Sequence, residues 1–489
     1  MSGSGPRLSL ATAGAVTTAA GPTYDPAALD TGIVHLGIGA FHRAHQAVFT
    51  DAAADIAAGG WGIVGVTQRS NRVVEQLRPQ DGLFTVVTRT GDAELHARIV
   101  GSVREVVSAQ SEPDALRAAL AAAGTRIVSM TVTEKGYAAD LSTRALDRRN
   151  PLLAKDLADP APYRSVVGQL VGAFQQRAER GLDGLTVLCC DNVTGGGDLV
   201  RELCAQFLEH SALGFDGALT AWIEANVRFP NTLVDRIVPE TPAAAVAALG
   251  AQLGYRDDGL VCAEPYGLWV IEDDFAAGHP QWPVENVHLV DDVRPWGDLK
   301  LRLVNGGHSL LAYLGLLAGH RTVAEVMAAP EFEALLAQWL DEASTSLPSV
   351  PDGVDLAAYR AQIAERFANP GIAYDLTKIA ADGSAKLPIR IGSTAADLIA
   401  RGRPARLGAL VLAGWIAYAS SDALSDPAAA RIRQVLDEES DARGQVQRLF
   451  GPDGVVPLPA VLAGGFLDDV STALVSVRRS DGRVAEYVR

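Results

Sequence analysis

Cysteine is scarce. Cys189, Cys190, Cys204 and Cys262 are the only four in 489 residues, and none is spaced C-x-x-C. That excludes a disulfide framework and a cysteine-rich zinc site, and it fits a reducing cytoplasm. Positive charge is also in short supply: 42 Lys and Arg stand against 58 Asp and Glu, a formal net charge of -16. Nonspecific attraction to nucleic acid or to an anionic membrane surface is therefore not expected, although a local basic pocket remains compatible with the balance. No apolar run reaches the roughly 18 residues of a membrane span; even Leu310 to Ala318 is short and contains Gly315. Within residues 1–30, the stretch Leu8 to Ala20 is too broken by Thr and Gly for the apolar core of a secretory signal. Fixed-period repeats and long low-complexity linkers are missing as well.

What the chain does have is a composition suited to a large interior, 48% hydrophobic and 20% charged, with Ala prominent. Its length is too great for one ordinary core, so two large domains are expected. After a flexible tail over 1–30, Gly32 to Leu36 is an apolar run ending in Gly37-Ile38-Gly39, and 44–57 reads as a helix. A second strand, Gly62 to Thr67, follows at the distance of a right-handed crossover, so the two should pair in parallel. Leu83 to Thr90 and Leu95 to Val100 read as a hairpin across Gly91-Asp92. Helix Pro113 to Ala123 leads into strand Ile127 to Thr133, and helix Arg164 to Arg177 leads into Leu185 to Cys189.

From about Trp296 the pattern becomes helical, with stretches near 297–319, 330–343, 355–368, 392–401, 407–419 and 428–449. The expected class is therefore α/β, a Rossmann-type dinucleotide-binding domain over 31–290 followed by a mostly α-helical domain over 291–489. The boundary falls in Val284 to Pro295, and the cleft between the halves is the default place for a ligand.

In Gly37-Ile-Gly39-Ala40-Phe41-His42 the first glycine permits a tight turn and the second lets backbone approach a pyrophosphate. The third glycine of the dinucleotide fingerprint is replaced by His42, so an ordinary strand-to-helix turn explains the motif equally well. The second strand lacks the acidic residue that accepts from the ribose of NAD. Gln68, Arg69, Ser70, Asn71 and Arg72 follow it, and Arg69 and Arg72 tilt the expectation toward NADP, unless they are simply solvated. His42 and His45 have no H-E-x-x-H pattern or cysteine partner, so no metal is expected; with Arg43 they line the mouth of the glycine loop.

Lys300-Leu-Arg-Leu-Val-Asn305-Gly-Gly-His308 opens a helical segment. At the α-helical angle His308 lies about 80° and Asn305 about 140° round from Lys300, so all three can face one cleft. Gly306 and Gly307 are costly inside a helix, which implies close approach of a ligand or a helix starting at Asn305 as its cap. A buried lysine beside a nicotinamide cation can take the hydroxyl proton during alcohol oxidation. Asn305 and Asn192 would stabilise the alkoxide-like oxygen and His308 would orient the hydroxyl. Asp191-Asn192 follows the strand at its carboxyl edge, a ligand position that is also good turn chemistry before Gly195-Gly196-Gly197.

Taken together, several ordered segments resemble the mannitol dehydrogenase family of long-chain polyol and sugar-acid dehydrogenases. They are Gly37 to Gln46, Thr131-Val-Thr-Glu-Lys-Gly-Tyr137, Cys190-Asp-Asn192 and Phe229-Pro-Asn-Thr-Leu-Val-Asp-Arg-Ile-Val-Pro239, then Glu264-Pro-Tyr266, Trp269 to Asp273, Lys300 to His308, and Asp382-Gly-Ser-Ala-Lys386-Leu-Pro388. The resemblance spans nearly the whole chain. It implies Lys300 as the catalytic lysine, Asn192 and Asn305 as oxyanion donors, His308 and Lys386 as substrate contacts, and Asp235 as a contact to the nicotinamide riboside. It implies no zinc. Asn71 and Arg72 stand where mannitol enzymes carry acidic residues, and Lys378 where they carry arginine; Lys135 looks more like the sugar-acid reductases and can pair a carboxylate.

The expected activity is therefore reversible, metal-independent NAD- or NADP-dependent reduction of a ketose or ketouronate. Substrate contacts would come from Lys378, Lys386 and Lys135, and cofactor contacts from Gly37, Gly39, Ala40, Phe41, Arg69 and Asp235. The partner is a small sugar, polyol or sugar acid, with no nucleic acid and no membrane. Lys378, Lys386 and Arg390 keep a polyol phosphate open as substrate. A catalytically silent dinucleotide-binding sensor would keep the glycine loop yet need no lysine.

Overall fold

Short runs rich in Val, Ile and Leu form strands when both faces are covered, and such runs build the centre of the first half. In the computed structural model, which describes residues 5–89, 95–141, 143–159, 162–458 and 465–480, the chain divides into two units after Val293. In the first unit a parallel sheet of six strands runs Val103–Ser108, Gly62–Thr67, Thr31–Leu36, Ile127–Met130, Leu185–Cys189 and Val227–Arg228. In chain order this is third, second, first, fourth, fifth, sixth. The direction of strand progression reverses between Thr31–Leu36 and Ile127–Met130, and such sheets bind ligands at the carboxyl ends of the strands flanking that reversal.

Alternate side chains of these strands enter different cores. Val34, Leu36, Val64, Val66, Val128 and Met130 face the helices Pro113–Leu120, Val166–Glu179 and Gly196–His210. Ile33, Ile63, Ile127 and Leu188 pack instead with Phe49, Trp61, Trp269 and Trp282. Two smaller three-stranded sheets were only partly foreseen. Phe84–Arg89 pairs antiparallel with Leu95–Val100, and Val261–Ala263 adds in parallel; the turn across Gly91-Asp92 lies outside the described residues. Thr232–Asp235, Leu268–Glu272 and Val287–Val290 form the other.

The amino-terminal stretch is not the loose tail that its composition implied. Leu8 is fully buried with Leu83, Val87, Ile99 and Tyr255, its amide donates to the Arg256 carbonyl, and Ala20 exchanges hydrogen bonds with the strand Leu95–Val100. One leucine and a row of backbone hydrogen bonds outweigh a Ser-, Gly- and Thr-rich composition.

The second unit is helical around one apolar core. Arg406–Ala419, buried almost throughout, packs against Gly306–Leu317 and Gly465–Arg479; a helix apolar on all sides belongs inside. The single helix expected over 428–449 is two, Ala429–Glu438 and Ala442–Phe450, the second capped by the Asp441 carboxylate accepting from the Gly444 amide at 3.0 Å. Arg294–Leu299, a π-helical turn at Lys300–Asn305, and Gly306–Leu317 form one continuous helix. Among the described residues no helix is long and apolar enough to cross a membrane.

Candidate functional site

The glycine turn sits at the reversal in strand order. Gly37 has φ +99°, and a Cβ there would lie 2.2 Å from the Thr131 carbonyl oxygen at the end of the neighbouring strand. Only glycine fits, for backbone angle and space alike. Gly39 differs: its φ of -86° suits any residue, and a Cβ would meet only the Gly37 oxygen at 3.8 Å. No protein contact demands a glycine at 39, and the space in front of it is the kind of cradle a dinucleotide's phosphates need. The helix that follows is broken: Ala40–Ala44, a kink at His45 (φ -129°, ψ -92°), then Gln46–Asp51. The first-turn amides of Ala40 and Phe41 have no acceptor within their own helix.

Histidines underpin the turn. His35 reaches Ser129 Oγ at 2.8 Å and Thr131 Oγ1 at 2.9 Å, and Thr131 Oγ1 donates to the Gly37 carbonyl at 2.9 Å. His42, fully buried, stacks on the His35 ring at 3.4 Å. Burial holds both rings neutral, His35 pushed down to about 3 and His42 well below the usual value. His45 contacts the Leu268 carbonyl at 2.9 Å, and Arg43 donates to the carbonyls of Gly39 and Gly259. Burial lowers the Arg43 guanidinium to about 10. These groups buttress the loop from behind. His35 was not singled out in the sequence, because a histidine inside an apolar strand carries no spacing signal.

Asp191 organises the opposite lip. Its carboxylate accepts from the amides of Val132 and Thr133 at 3.0 and 2.9 Å and from the Tyr137 hydroxyl at 2.6 Å. Thr133 has φ +63°, a conformation uncommon for a β-branched residue. Such strain persists only where the surroundings hold it, as this carboxylate does. Asn192 follows, exposed at the carboxyl edge of the sheet. Past the second strand, Arg69 and Arg72 are exposed, and among the described residues neither forms an ion pair. Arg69 lies 3.5 Å from the Lys135 carbonyl, so these two predicted site residues are neighbours.

The segment Phe229 to Pro239 ties the turn's surroundings together. Asn231 Oδ1 accepts from the amides of Gly197 and Asp198, capping the helix Gly196–His210. Asp235 is buried at the end of its strand. Arg236 donates to the Ala44 carbonyl at 2.5 Å and twice to the Glu264 carbonyl, while Glu264 Oε1 accepts from the Ile237 amide at 2.7 Å. Asn231, Arg236 and Glu264 were quoted in the sequence only within a motif; their roles are structural clamps.

In the second unit Lys300, 8% exposed, and His308, 7% exposed, lie on one helix with Asn305. The helix does not begin at Asn305, which is helical (φ -72°, ψ -34°) and makes no side-chain cap. Its neighbours explain the glycines: a Cβ on Gly306 would lie 2.3 Å from the Trp339 ring, and one on Gly307 3.0 Å from Leu336. Packing against Trp339 of the helix Pro330–Ser344 accounts for Gly306, and no cap is formed at Asn305. The angles derived for a uniform α-helix also fail, since Lys300–Asn305 is a π-turn, a feature frequent at functional sites. His308 stacks on Phe367 at 4.0 Å with Tyr374 edge-on.

The other predicted substrate contacts are placed less simply. Lys378 is exposed on the short helix Leu376–Ala380. Lys386 donates to the Ala381 carbonyl at 2.6 Å, capping that helix's end. Among the described residues no group of three or more His, Cys, Asp or Glu is arranged to hold a metal ion.

The family description "Mannitol dehydrogenase Rossmann domain" matches residues 31–284, and "Mannitol dehydrogenase C-terminal domain" matches 292–450. The chain is 38% identical over 454 residues to the D-mannonate oxidoreductase of Escherichia coli (strain K12), covering 92% of this chain and 91% of that protein. It is 35% identical to a mannitol 2-dehydrogenase of Pyrenophora tritici-repentis, over 88% of this chain and 78% of that one. The structure of Pseudomonas fluorescens mannitol 2-dehydrogenase in ternary complex with NAD and D-mannitol superposes with a TM-score of 0.84 at 33% identity, covering 98% and 99% of the two chains.

Proposed function

We propose that this chain, which belongs to the mannitol dehydrogenase family, interconverts a secondary alcohol and a ketone of an open-chain sugar derivative with NAD or NADP, in the cytoplasm and without metal. The pairs in view are D-mannitol with D-fructose and D-mannonate with D-fructuronate. The observation that carries the reading is a buried lysine in a π-turn, followed on the same helix by Asn305 and His308. A nicotinamide supplies or accepts the hydride when bound. Lys300 Nζ takes the hydroxyl proton in oxidation and returns it in reduction. The amides of Asn305 and Asn192 donate to the oxygen as negative charge develops, and His308 holds the hydroxyl.

For the cofactor, the open cradle at Gly39 and the amides of Ala40 and Phe41 suit a pyrophosphate, with Asp235 assigned to the nicotinamide riboside. Gly39→Ala should leave the urea unfolding midpoint unchanged yet raise the cofactor Kd by roughly tenfold or more, because the new methyl meets ligand and not protein. A Kd within a factor of two of the parent would remove Gly39 from the site. Arg69 and Arg72 support NADP. Replacing both with Gln should lower kcat/KM for NADP by on the order of tenfold per arginine while sparing NAD; equal effects on both cofactors would count against that assignment. Substrate is read by pairing mannitol, fructose, mannonate and fructuronate with each nicotinamide and following absorbance. Silence across that whole panel would defeat the proposal.

A further inference from the structure

Among the described residues Arg390 forms no ion pair. It lies in a second π-helical turn, Pro388–Gly392, which packs on the turn Lys300–Asn305. Arg390 is partly buried, and that burial lowers the pKa of its guanidinium. Only Nη1 is engaged, at 3.4 Å from both the Asn305 carbonyl and Ser309 Oγ, long contacts for hydrogen bonds. The remaining guanidinium donors have no protein acceptor among the described residues. The phenols of Tyr313 and Tyr374 that also feel this charge carry no negative charge at neutral pH. Arg302, on the facing turn, shows what satisfaction looks like here: it pairs with Asp298 at 3.1 Å and Asp397 at 2.7 Å and donates to the Ser346 carbonyl at 2.8 Å.

A guanidinium fork matches a carboxylate in plane and can hold it through two parallel hydrogen bonds. We propose that Arg390 pairs with the carboxylate of a sugar-acid substrate, which makes open-chain aldonates and ketouronates the preferred class over neutral polyols. The inference rests on the reading that Lys300, Asn305 and His308 act on the reacting carbon. Ser309 Oγ donates to the Asn305 carbonyl at 3.1 Å, and Arg390 Nη1 meets both, so the guanidinium stands beside the residue assigned to the reacting oxygen. Tyr374 meets the His308 ring edge-on.

D-mannonate and D-mannitol differ at one end, carboxylate against hydroxymethyl, so the pair isolates the contact. With the intact enzyme and cofactor, Arg390→Gln should raise KM for D-mannonate by on the order of 100-fold and leave kcat/KM for D-mannitol within about threefold; Arg390→Lys should recover part of the loss. If both substrates decline together, the guanidinium only supports the Asn305 turn and the proposal is overturned. It is overturned equally if the parent enzyme prefers D-mannitol or mannitol 1-phosphate to D-mannonate. Should no substrate turn over, the proposed reaction has failed by itself, and calorimetric binding of D-mannonate still decides: weaker binding by Arg390→Gln supports the contact, equal binding refutes it.

Discussion

Lys300→Ala is expected to lower kcat in both directions by roughly 10²–10⁴-fold, the range over which a positioned acid–base group acts. Cofactor affinity should be unaffected, because the substitution removes a proton carrier and not a binding surface. Lys300→Met, which keeps the buried stem and loses only the ammonium, should match it in rate while unfolding like the parent. The limb of the pH–rate profile that reports deprotonation of the base should vanish in both variants. A small primary amine in solution should return part of the rate to Lys300→Ala. Turnover within threefold of the parent enzyme would sink the mechanism.

Gly37→Ala should be the most damaging change in the first unit. The added methyl would sit 2.2 Å from the Thr131 carbonyl oxygen, and φ +99° is a conformation that L side chains rarely adopt. The backbone penalty is about 1–2 kcal/mol and overpacking against rigid strand backbone adds about 1–3 kcal/mol. The expected loss is therefore roughly 3 kcal/mol, read from the urea midpoint at unchanged slope. Cofactor binding should go with it, since the turn and the Thr131 strand end must separate. The contrast with Gly39→Ala is the informative part: two glycines of one motif, one demanded by the fold and the other not. An unfolding midpoint equal to the parent's would mean that the turn is not built as described.

Much of this was readable from the residues in order. Thr31–Leu36, Gly62–Thr67 and Leu185–Cys189 are apolar runs bounded by turn residues, so their strands were plain, and their alternation with helices gave the parallel sheet. The helices Pro330–Ser344 and Arg406–Ala419 were equally plain. The π-turn was not, because its local residues, Lys-Leu-Arg-Leu-Val-Asn, are ordinary helix formers and the widening depends on what packs around them. Gly306 and Gly307 looked like ligand or cap glycines because Trp339 is more than thirty residues away in sequence. The ordering of Leu8 and the clamps at Asn231 and Arg236 likewise depend on partners that no short window contains.

The wide turn at Lys300–Asn305 separates two rotational registers on a single rod. Downstream, the azimuth of Gly306–Leu317 is dictated by the Trp339 indole, which leaves no room for a methyl on Gly306. Upstream, the direction of the amine is set on a coil with a different residue count per revolution, so its aim need not follow from how the packed half is seated. Substitutions that re-pack the bundle can thus accumulate without swinging the Lys300 nitrogen away, whereas removing one residue from the turn would rotate it out of line even if every core contact survived.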